Sequence, residues 1–458
     1  MSTKPVLQVD QSPVEAGLSD SVMSTGTQPA SEEGSLKSAH RKVDVRLILW
    51  YGFVYLIMRI HLSNISNTAI INLEQGDGIK KQLGNLTSDQ WAWVLSIFYY
   101  PYMLLEPVST FALKRFTPRL WMTRIMVTWI PLELLVPDSE ALIPPFFYAC
   151  GTFAGTISGL LAYAISFMNG AGGLAGWRWV FILEGLPAIA CGIYTFFILP
   201  DYPETASFLS EAEKQAILTD LPVRAPSMAA KTFDLSEIKA LLKSPTWVPF
   251  LLIWTTHGIG GFGITFVLPT IIYELGLSGT AVSQLMTMPA YALVFVILLA
   301  LGYLTHTERL SPWAACIGLE ASQIICYILL ITVHDAAAKY VLVVVATAAS
   351  SSFFPIIWPE RIRATSGTTS AALAIGVTNA LAQLQGIVGP QVYQSKFGPS
   401  YTVSYSTSIG LLAVTVVTMC LAWFLVHRQD ERVRLGVSVD EGNVESSDEK
   451  TQGRQQEA

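Results

Sequence analysis

The stretch YVLVVVATAASSSFFPIIW, from Tyr340 to Trp358, decides the fold of this chain, because its 19 residues include no charged side chain. At a rise of about 1.5 Å per residue, a helix of this length covers about 28 Å, close to the roughly 30 Å hydrocarbon core of a bilayer. Such stretches recur eleven times between about Val45 and Val426, separated by short charged loops. We therefore predict an all-α polytopic membrane protein.

The eleven candidate spans fall into two groups, because the longest internal polar connection, Asp201 to Lys243, separates the fifth from the sixth. The candidates are Val45–Ile65, Gln90–Phe111, Leu120–Val136, Phe146–Phe167, Trp179–Leu199, Trp247–Tyr273, Val282–Leu304, Trp313–Val333, Tyr340–Trp358, Ala371–Tyr393 and Tyr401–Val426. The second group has six spans and the first has five. Two matched bundles of six helices are the architecture of a large class of secondary transporters.

The composition excludes a soluble globule. Of 458 residues, 52% are hydrophobic and 14% are charged, and the mean hydropathy is +0.46, which would leave a soluble protein with too much exposed apolar surface. The net charge of -6 comes partly from an acidic C-terminal tail, and no basic patch for nucleic acid is present. The five cysteines lack metal-ligand spacing, so we expect no metal and no cofactor.

The distribution of lysine and arginine predicts the orientation, because positively charged loops stay cytoplasmic. One set of loops and flanks carries 17 of these residues and the opposite set carries five. Both termini and the central loop are therefore expected in the cytoplasm, which requires an even number of crossings. The weakest candidate is Leu120–Val136, which contains Arg124 and Glu133 and is broken by Pro131. We expect it to re-enter or to be marginal, giving 10–11 apparent transmembrane helices.

Five regions follow from this organisation. We predict a disordered cytoplasmic tail over 1–44, an incomplete N-terminal helix bundle over 45–199, a cytoplasmic central loop over 200–245, a six-helix C-terminal bundle over 246–426 and a disordered cytoplasmic tail over 427–458.

Four local motifs connect the chain to a known family. They are WAWVLSIFYY (91–100), KRF (114–116), GWRWVFILEGLP (176–187) and LPDYPE (199–204). Together they resemble the major facilitator superfamily, and more narrowly its fungal anion:cation symporter branch, which contains allantoate, nicotinate, pantothenate and biotin permeases. The resemblance runs from about Asp44 to Arg432 and implies alternating-access transport rather than enzymatic activity.

Two departures from the family pattern are visible. After Trp129-Ile130 the end of the third helix and the whole fourth helix are missing, so either a gene prediction omits coding sequence or the protein has lost it. In the first span, His61-Leu62-Ser63 stands where the family often has Asp-Arg, and the nearest cation is Arg59.

A substrate site near the midplane between the halves needs polar and aromatic side chains within the spans. The predicted substrate-binding residues are Arg59, His61, Asn64, Asn67, Tyr99, Tyr100, Tyr148, His257, Phe262, Tyr291, Asn379 and Gln383. Arg59 would attract a carboxylate, or else snorkel toward the outer interface. The aromatic residues would stack on a planar ligand or simply pack, and the amides would bind ligand or join helices.

Proton coupling requires a titratable side chain inside the membrane. We propose His61, His257 and Glu320 as candidates, because imidazole titrates near pH 6.5 and a carboxylate in the middle of a span is costly to bury. For each histidine the alternative is a hydrogen-bonded packing residue.

The cytoplasmic loops predict a gate. Glu106 is expected to brace it against Lys114 or Arg115, and Glu308 and Arg309 occupy the corresponding loop of the second half.

Glycines predict two further features. Gly151, Gly155 and Gly159 form a ladder of small residues that permits close helix approach and sliding. Gly258, Gly260, Gly261 and Gly263 predict a flexible or broken sixth candidate span.

The favoured function is proton-coupled uptake of a small organic anion, such as nicotinate, pantothenate or allantoate, by a monomer in the plasma membrane. The sequence does not separate the plasma membrane from the vacuole. Intramembrane enzymes, channels and receptors lack supporting motifs. The remaining alternative is a family member that does not transport, because it lacks a helix, or one whose coding sequence is incomplete.

Overall fold

The computed structural model describes residues 36, 38–39, 41–43, 49–106, 143–198, 206, 208–220, 235–365 and 368–434. Within these ranges only the backbone is described at 49, 51, 61–64, 143–150, 152, 196, 198, 218–220, 368, 430 and 432–434. The described residues form helices and turns without a strand, and seven helical stretches among them are long and apolar enough to cross a membrane. The predicted all-α membrane fold is confirmed.

Four span-forming helices make up most of the described part of the first half, with two short helical turns at Ile79–Gln82 and Ala171–Gly173 between them. The four helices are α1 (Leu49–Thr68), α2 (Ser88–Ser96, helical again at 99–106), α3 (Ile143–Ser166) and α4 (Gly176–Ile198). α2 begins at a capping box, in which the Thr87 hydroxyl accepts from the Gln90 amide at 3.2 Å and the Gln90 side chain accepts from the Thr87 amide at 2.9 Å. These helices coincide with the first, second, fourth and fifth candidate spans.

Two shorter helices, α5 (Glu211–Asp220) and α6 (Leu235–Lys243), lie in the central loop. The second half then has six spans, which coincide with the sixth to eleventh candidates. Its helices are α7 (Trp247–Gly260), α8 (Leu268–Glu274), α9 (Thr280–Leu285), α10 (Met288–His306), α11 (Pro312–Thr332), α12 (Ala336–Arg363), α13 (Thr368–Ala382), α14 (Leu384–Val392) and α15 (Thr402–Arg434). A 3₁₀ segment, Phe262–Val267, joins α7 to α8, so the predicted break in this span is confirmed.

Side-chain contacts fix the relative directions of the first-half helices. Trp50 at the start of α1 donates to Thr195 near the end of α4 at 3.2 Å. Near the other end of α1, Asn67 donates to Ser158 in the second half of α3 at 2.7 Å. α1 is therefore antiparallel to α4 and parallel to α3.

α2 starts where α1 finishes, because Trp91 packs in one buried cluster with Ile70 and Ile79. The end of α2 and the start of α3 consequently lie on the same side of the bundle. The four helices of the first half and the six helical stretches of the second half run in alternating directions, so Leu49 and Arg434, the first and last residues of this series, lie on that side. The weak third candidate, Leu120–Val136, lies outside the described residues.

We call the side that carries the loops 69–87, 167–175 and 275–279 the outer end, following the charge bias of the sequence. The opposite side is the inner end. In the second half, one buried cluster around Phe250 and Trp254 lies toward the inner end, and another around Leu268 and Tyr405 lies toward the outer end.

At the inner end, a short part of the N-terminal segment packs against the central loop. Residues 36, 38–39 and 41–43 are helical, and Ala39 is buried against Leu209 and Ile217 of the central loop. Glu213 of α5 accepts from the Ser38 hydroxyl at 2.8 Å and from the Lys42 ammonium at 2.9 Å. These few residues pack on the central loop because an apolar face with a carboxylate partner opposes them.

Candidate functional site

The two halves meet along α3 of the first half and α9–α10 of the second, where two glycines replace side chains. A Cβ on Gly155 would lie 2.6 Å from the ring of Tyr291, and one on Gly159 would lie 2.8 Å from the carbonyl oxygen of Gln284 and 2.7 Å from the Thr287 hydroxyl. Only glycine permits this approach, so the predicted function of the glycine ladder as a close contact is confirmed.

Polar contacts close the interface at the outer end. They are Gln284 Nε2 to the Asn67 carbonyl at 2.9 Å, the Thr280 amide to Glu74 Oε1 at 3.2 Å and Lys396 Nζ to Asp89 Oδ1 at 3.0 Å. Each contact joins the two halves. The conformation is therefore the one in which the halves are joined at their outer ends.

A cluster of three predicted residues lies deeper in this interface. Arg59 of α1 is half-buried, and it lies close enough to the hydroxyls of Tyr99 and Tyr291 to interact electrostatically with both. Its guanidinium also stands over the Tyr55 ring at 5.9 Å. Tyr99 meets Phe266 edge to face at 5.6 Å. The Arg59 cluster, by which we mean Arg59, Tyr99 and Tyr291, thus combines a cation with two phenols from both halves.

The ring of Tyr99 covers Gly386 of α14, where any Cβ would overlap it. Phe262 adjoins the same region, 6.2 Å from Phe266. Tyr100 lies elsewhere: it is 37% exposed and stacks on the exposed Trp93 at 6.0 Å. The structure does not bring Tyr100 to the cluster, because neighbouring helical residues point about 100° apart.

Other predicted ligands have different surroundings. The side chain of Asn67 is buried and bonded to Ser158, which favours the alternative of a residue that joins helices. The side chains of His61, Asn64 and Tyr148 lie outside the described parts of the structure.

The predicted gate is only partly visible. Gln383 donates to the buried Glu106 across the two halves at 3.4 Å and to the Asn379 carbonyl at 3.2 Å. Asn379 is buried, and its amide nitrogen has no hydrogen-bond partner. Lys114 and Arg115 lie outside the described residues.

Glu308 and Arg309 are exposed in the turn between α10 and α11. Glu308 adopts a left-handed backbone conformation there, with φ of 55°. Among the described residues, no ion pair links this turn to the first half.

The structure brings two separately predicted residues into contact. His257 Nδ1 of α7 lies 2.5 Å from Glu320 Oε1 of α11, and both side chains are buried. The imidazole stacks on Phe353 of α12 at 3.9 Å between centroids. His257 Nε2 and Glu320 Oε2 have no hydrogen-bond partner. The packing of α7 on α11 thus places an imidazole and a carboxylate in direct contact inside the bundle.

Sequence reasoning missed Arg361 as a buried residue and counted it only as a loop charge. It is 1% exposed, lies over the rings of Trp247 and Phe250 at 5.2 and 4.8 Å, and none of its three guanidinium nitrogens has a hydrogen-bond partner. Its place at the end of an apolar stretch gave no signal that two aromatic rings would enclose it.

This arrangement of two helical halves around a central interface agrees with comparison to known proteins. A family model described as Major Facilitator Superfamily matches residues 146–390. The chain belongs to the major facilitator superfamily. It is thus an integral membrane protein of a family of secondary transporters.

Individual relatives of this superfamily member are distant. The MFS-type transporter cnsO of Penicillium expansum is 26% identical over 89% of this chain and 86% of its own length. A protein of Agrobacterium vitis that bears the name of a tartrate transporter is 24% identical over 77% of this chain and 86% of its own length. The solved structure of the proton:xylose symporter XylE, bound to 6-bromo-6-deoxy-D-glucose, aligns with a TM-score of 0.55 at 12% identity, covering 83% of this chain and 96% of that one.

Proposed function

We propose that this transporter moves a small organic anion together with a proton by alternating access. The observation that carries the proposal is the Arg59 cluster, in which a half-buried guanidinium meets the phenols of Tyr99 and Tyr291 at the contact between halves. A cation inside a span costs roughly 2.5 to 3.5 kcal/mol on insertion scales, so its retention favours an anionic ligand. A carboxylate accepts two parallel hydrogen bonds from a guanidinium and further ones from phenols.

Support for the proton comes from the pair formed by His257 and Glu320. A proton bound there neutralises the buried carboxylate, and its release restores a charge inside the bundle. The pair therefore has two states of different charge, as a coupling site needs. The names of two similar proteins agree with the components of the proposal, since one refers to tartrate, a dicarboxylate, and the other to proton symport.

Uptake measurements in a permease-deficient host test the proposal. Labelled nicotinate, pantothenate, biotin, allantoate and tartrate are offered separately at pH 5 and pH 7. We expect at least one acid to enter faster at pH 5. Replacing Arg59 by Met should abolish that uptake, whereas Arg178→Met, which removes an exposed guanidinium from over the Trp177 ring, should not. Uptake that is equal at both pH values, or equal in the two variants, would count against the proposal.

The proposal extends to organisation and location. The halves are residues 45–199 and 246–426, joined by a cytoplasmic loop over 200–245, with tails over 1–44 and 427–458 also cytoplasmic. The transporter is a monomer in the plasma membrane and belongs to the anion:cation symporter branch. Tags on both ends that report the cytoplasm would agree with this topology.

A second candidate, a chain that does not transport, is favoured by one face of α2. Trp93, Ile97 and Leu104 lie along this face and are 54, 66 and 69% exposed. In the second half, the fourth span, α12, packs along the second and third. If the first half repeats the arrangement of the second, a fourth helix of the first half would pack on this exposed face of α2. Sequencing the transcript across codons 130 to 145 decides whether coding sequence for such a helix exists.

A further inference from the structure

The break between α7 and α8 lies directly against the His257–Glu320 pair. A Cβ on Gly261, the first residue of the break, would lie 2.8 Å from His257 Cε1 and 2.9 Å from its Nδ1. The Gly261 amide donates to the His257 carbonyl at 2.7 Å, which ends α7. A movement of the imidazole therefore displaces atoms that contact the backbone at the break.

The carbonyl of Gly261 is held by α11. Gln323 Nε2 donates to it at 3.0 Å and also to the Tyr327 hydroxyl at 2.8 Å, while that hydroxyl lies 3.4 Å from the same carbonyl. Gln323 and Tyr327 are 1% and 0% exposed. Gln323 follows Glu320 by three residues, so the two side chains share a face of α11. One helix face thus carries both the carboxylate of the pair and the amide that holds the break.

The other side of the break contributes to the Arg59 cluster. Phe266 lies in the 3₁₀ segment and meets Tyr99 edge to face at 5.6 Å. Four residues, 262–265, separate Gly261 from Phe266. The 3₁₀ segment therefore lies between the pair and the region where the anion is proposed to bind.

We infer that the Gln323 amide is a switch that couples the proton on the pair to the position of the 3₁₀ segment. This inference rests on the proposed function. With the proton bound, the amide donates to the Gly261 carbonyl, as in this structure. When the proton leaves His257 for cytoplasmic water, the carboxylate of Glu320 keeps its full charge, and its second oxygen, Oε2, has no partner.

A buried carboxylate oxygen without a donor is costly, and more so once the neighbouring imidazole has lost its positive charge. The Gln323 amide, one helical turn away, turns to Glu320 Oε2 and releases the Gly261 carbonyl. The 3₁₀ segment is then free to move Phe266 relative to Tyr99. Gln323 is a positioning residue in this scheme, since it acts through the backbone of the break rather than on the anion.

Other groups around the pair leave this assignment unchanged. Cys316 lies one turn before Glu320 on α11, close enough to interact electrostatically with its carboxylate. Tyr327 lies one turn beyond Gln323 on the same helix. α12 faces the imidazole with Phe353, and α15 faces α7 with Thr415, neither of which titrates.

The test compares Gln323→Leu with the wild type and with Gln394→Leu, which removes a buried amide that donates to Gln391 at 2.8 Å beyond α14. The probe is whichever of the five labelled acids the wild type takes up fastest. Purified protein in liposomes is measured for net uptake driven by a pH gradient and for exchange without a gradient. We expect Gln323→Leu to lose the stimulation by the gradient, so that the ratio of uptake with and without it falls to about one, while exchange persists. Gln394→Leu should keep the wild-type ratio.

The outcomes separate the two proposals. A wild type without stimulation by the gradient overturns proton coupling itself. If the gradient stimulates uptake equally in the wild type and in Gln323→Leu, the switch alone is overturned. The same holds if Gln323→Leu is folded, as judged by its melting temperature, but loses exchange as well. Should Gln323→Leu fail to fold, Tyr327→Phe removes the hydroxyl that makes the second contact to the Gly261 carbonyl and should lower the ratio partway. An unchanged ratio in that variant would overturn the switch.

Discussion

Adding one methyl group at Gly159 should shift the transporter away from the conformation described here. In the Gly159→Ala variant, the new Cβ would lie 2.8 Å from the backbone carbonyl of Gln284. Ordinary contact begins at 3.4 Å, so the helices must separate by 3.4 − 2.8 = 0.6 Å at this point. A backbone carbonyl, unlike a flexible side chain, cannot swing aside.

Overpacking of this kind costs about 1–3 kcal/mol. The cost falls on the state in which α3 and α9 touch at the outer end, because separating the halves relieves the clash. Since about 1.4 kcal/mol is a tenfold change in an equilibrium constant, the population should shift about 5- to 150-fold toward an outward-open state.

The assay uses a cysteine at Thr280, which is 9% exposed in the closed outer end, in a chain whose five native cysteines are replaced. Labelling by a membrane-impermeant thiol reagent from outside should accelerate when Gly159 becomes Ala. Two controls separate the causes. Gly318→Ala enters open space and should change nothing. Gly151→Ala clashes with Tyr55 inside the first half, so it should lower the melting temperature without changing the labelling.

Equal labelling rates in the wild type and Gly159→Ala would refute the reasoning. So would a Gly151→Ala variant that labels as fast as Gly159→Ala, because the effect would then come from general loosening of the helices.

Three further outcomes are expected. Tyr99→Phe should weaken anion binding by about 0.5–1.5 kcal/mol, the net value of one hydrogen bond, and raise the half-saturating concentration of uptake, while Tyr100→Phe should not. Replacing the unpartnered Arg361 by Met should leave the melting temperature unchanged or raise it, because the buried charge is compensated only by aromatic rings; a clear fall would contradict this. The Lys42 ammonium and neighbouring donors lower the pKa of Glu213 to about 2, so its stabilisation of residues 36–43 is complete above pH 4.5 and is lost as the pH falls toward 2. Limited trypsin digestion at pH 7.5 should therefore cut this segment faster in Glu213→Ala than in the wild type or in Glu211→Ala, whose carboxylate is exposed.

The local hydropathy pattern was sufficient to predict the positions of the spans. It was insufficient to predict which residues contact the polar side chains within them. The apolar stretches coincide with helices in all ten candidates that the described residues include, because a bilayer requires long unbroken apolar segments that satisfy their own backbone hydrogen bonds. The close helix contact at the glycine ladder was likewise predictable, since small residues spaced by four lie on one helix face. Tyr100 shows the limit: its aromatic neighbourhood in the sequence resembles that of Tyr99, yet only packing decided which of the two faces Arg59.

The sequence by itself determined the all-helical membrane architecture, its two groups of spans and the break near Gly261, because hydropathy and glycine content act within a single helix. Tertiary structure alone decided that His257 meets Glu320, that Gln323 holds the Gly261 carbonyl and that Arg361 lies between aromatic rings. Residues 63 positions apart, as His257 and Glu320 are, meet only when helices pack, and the packing angle and rotation of each helix depend on side chains across the whole bundle.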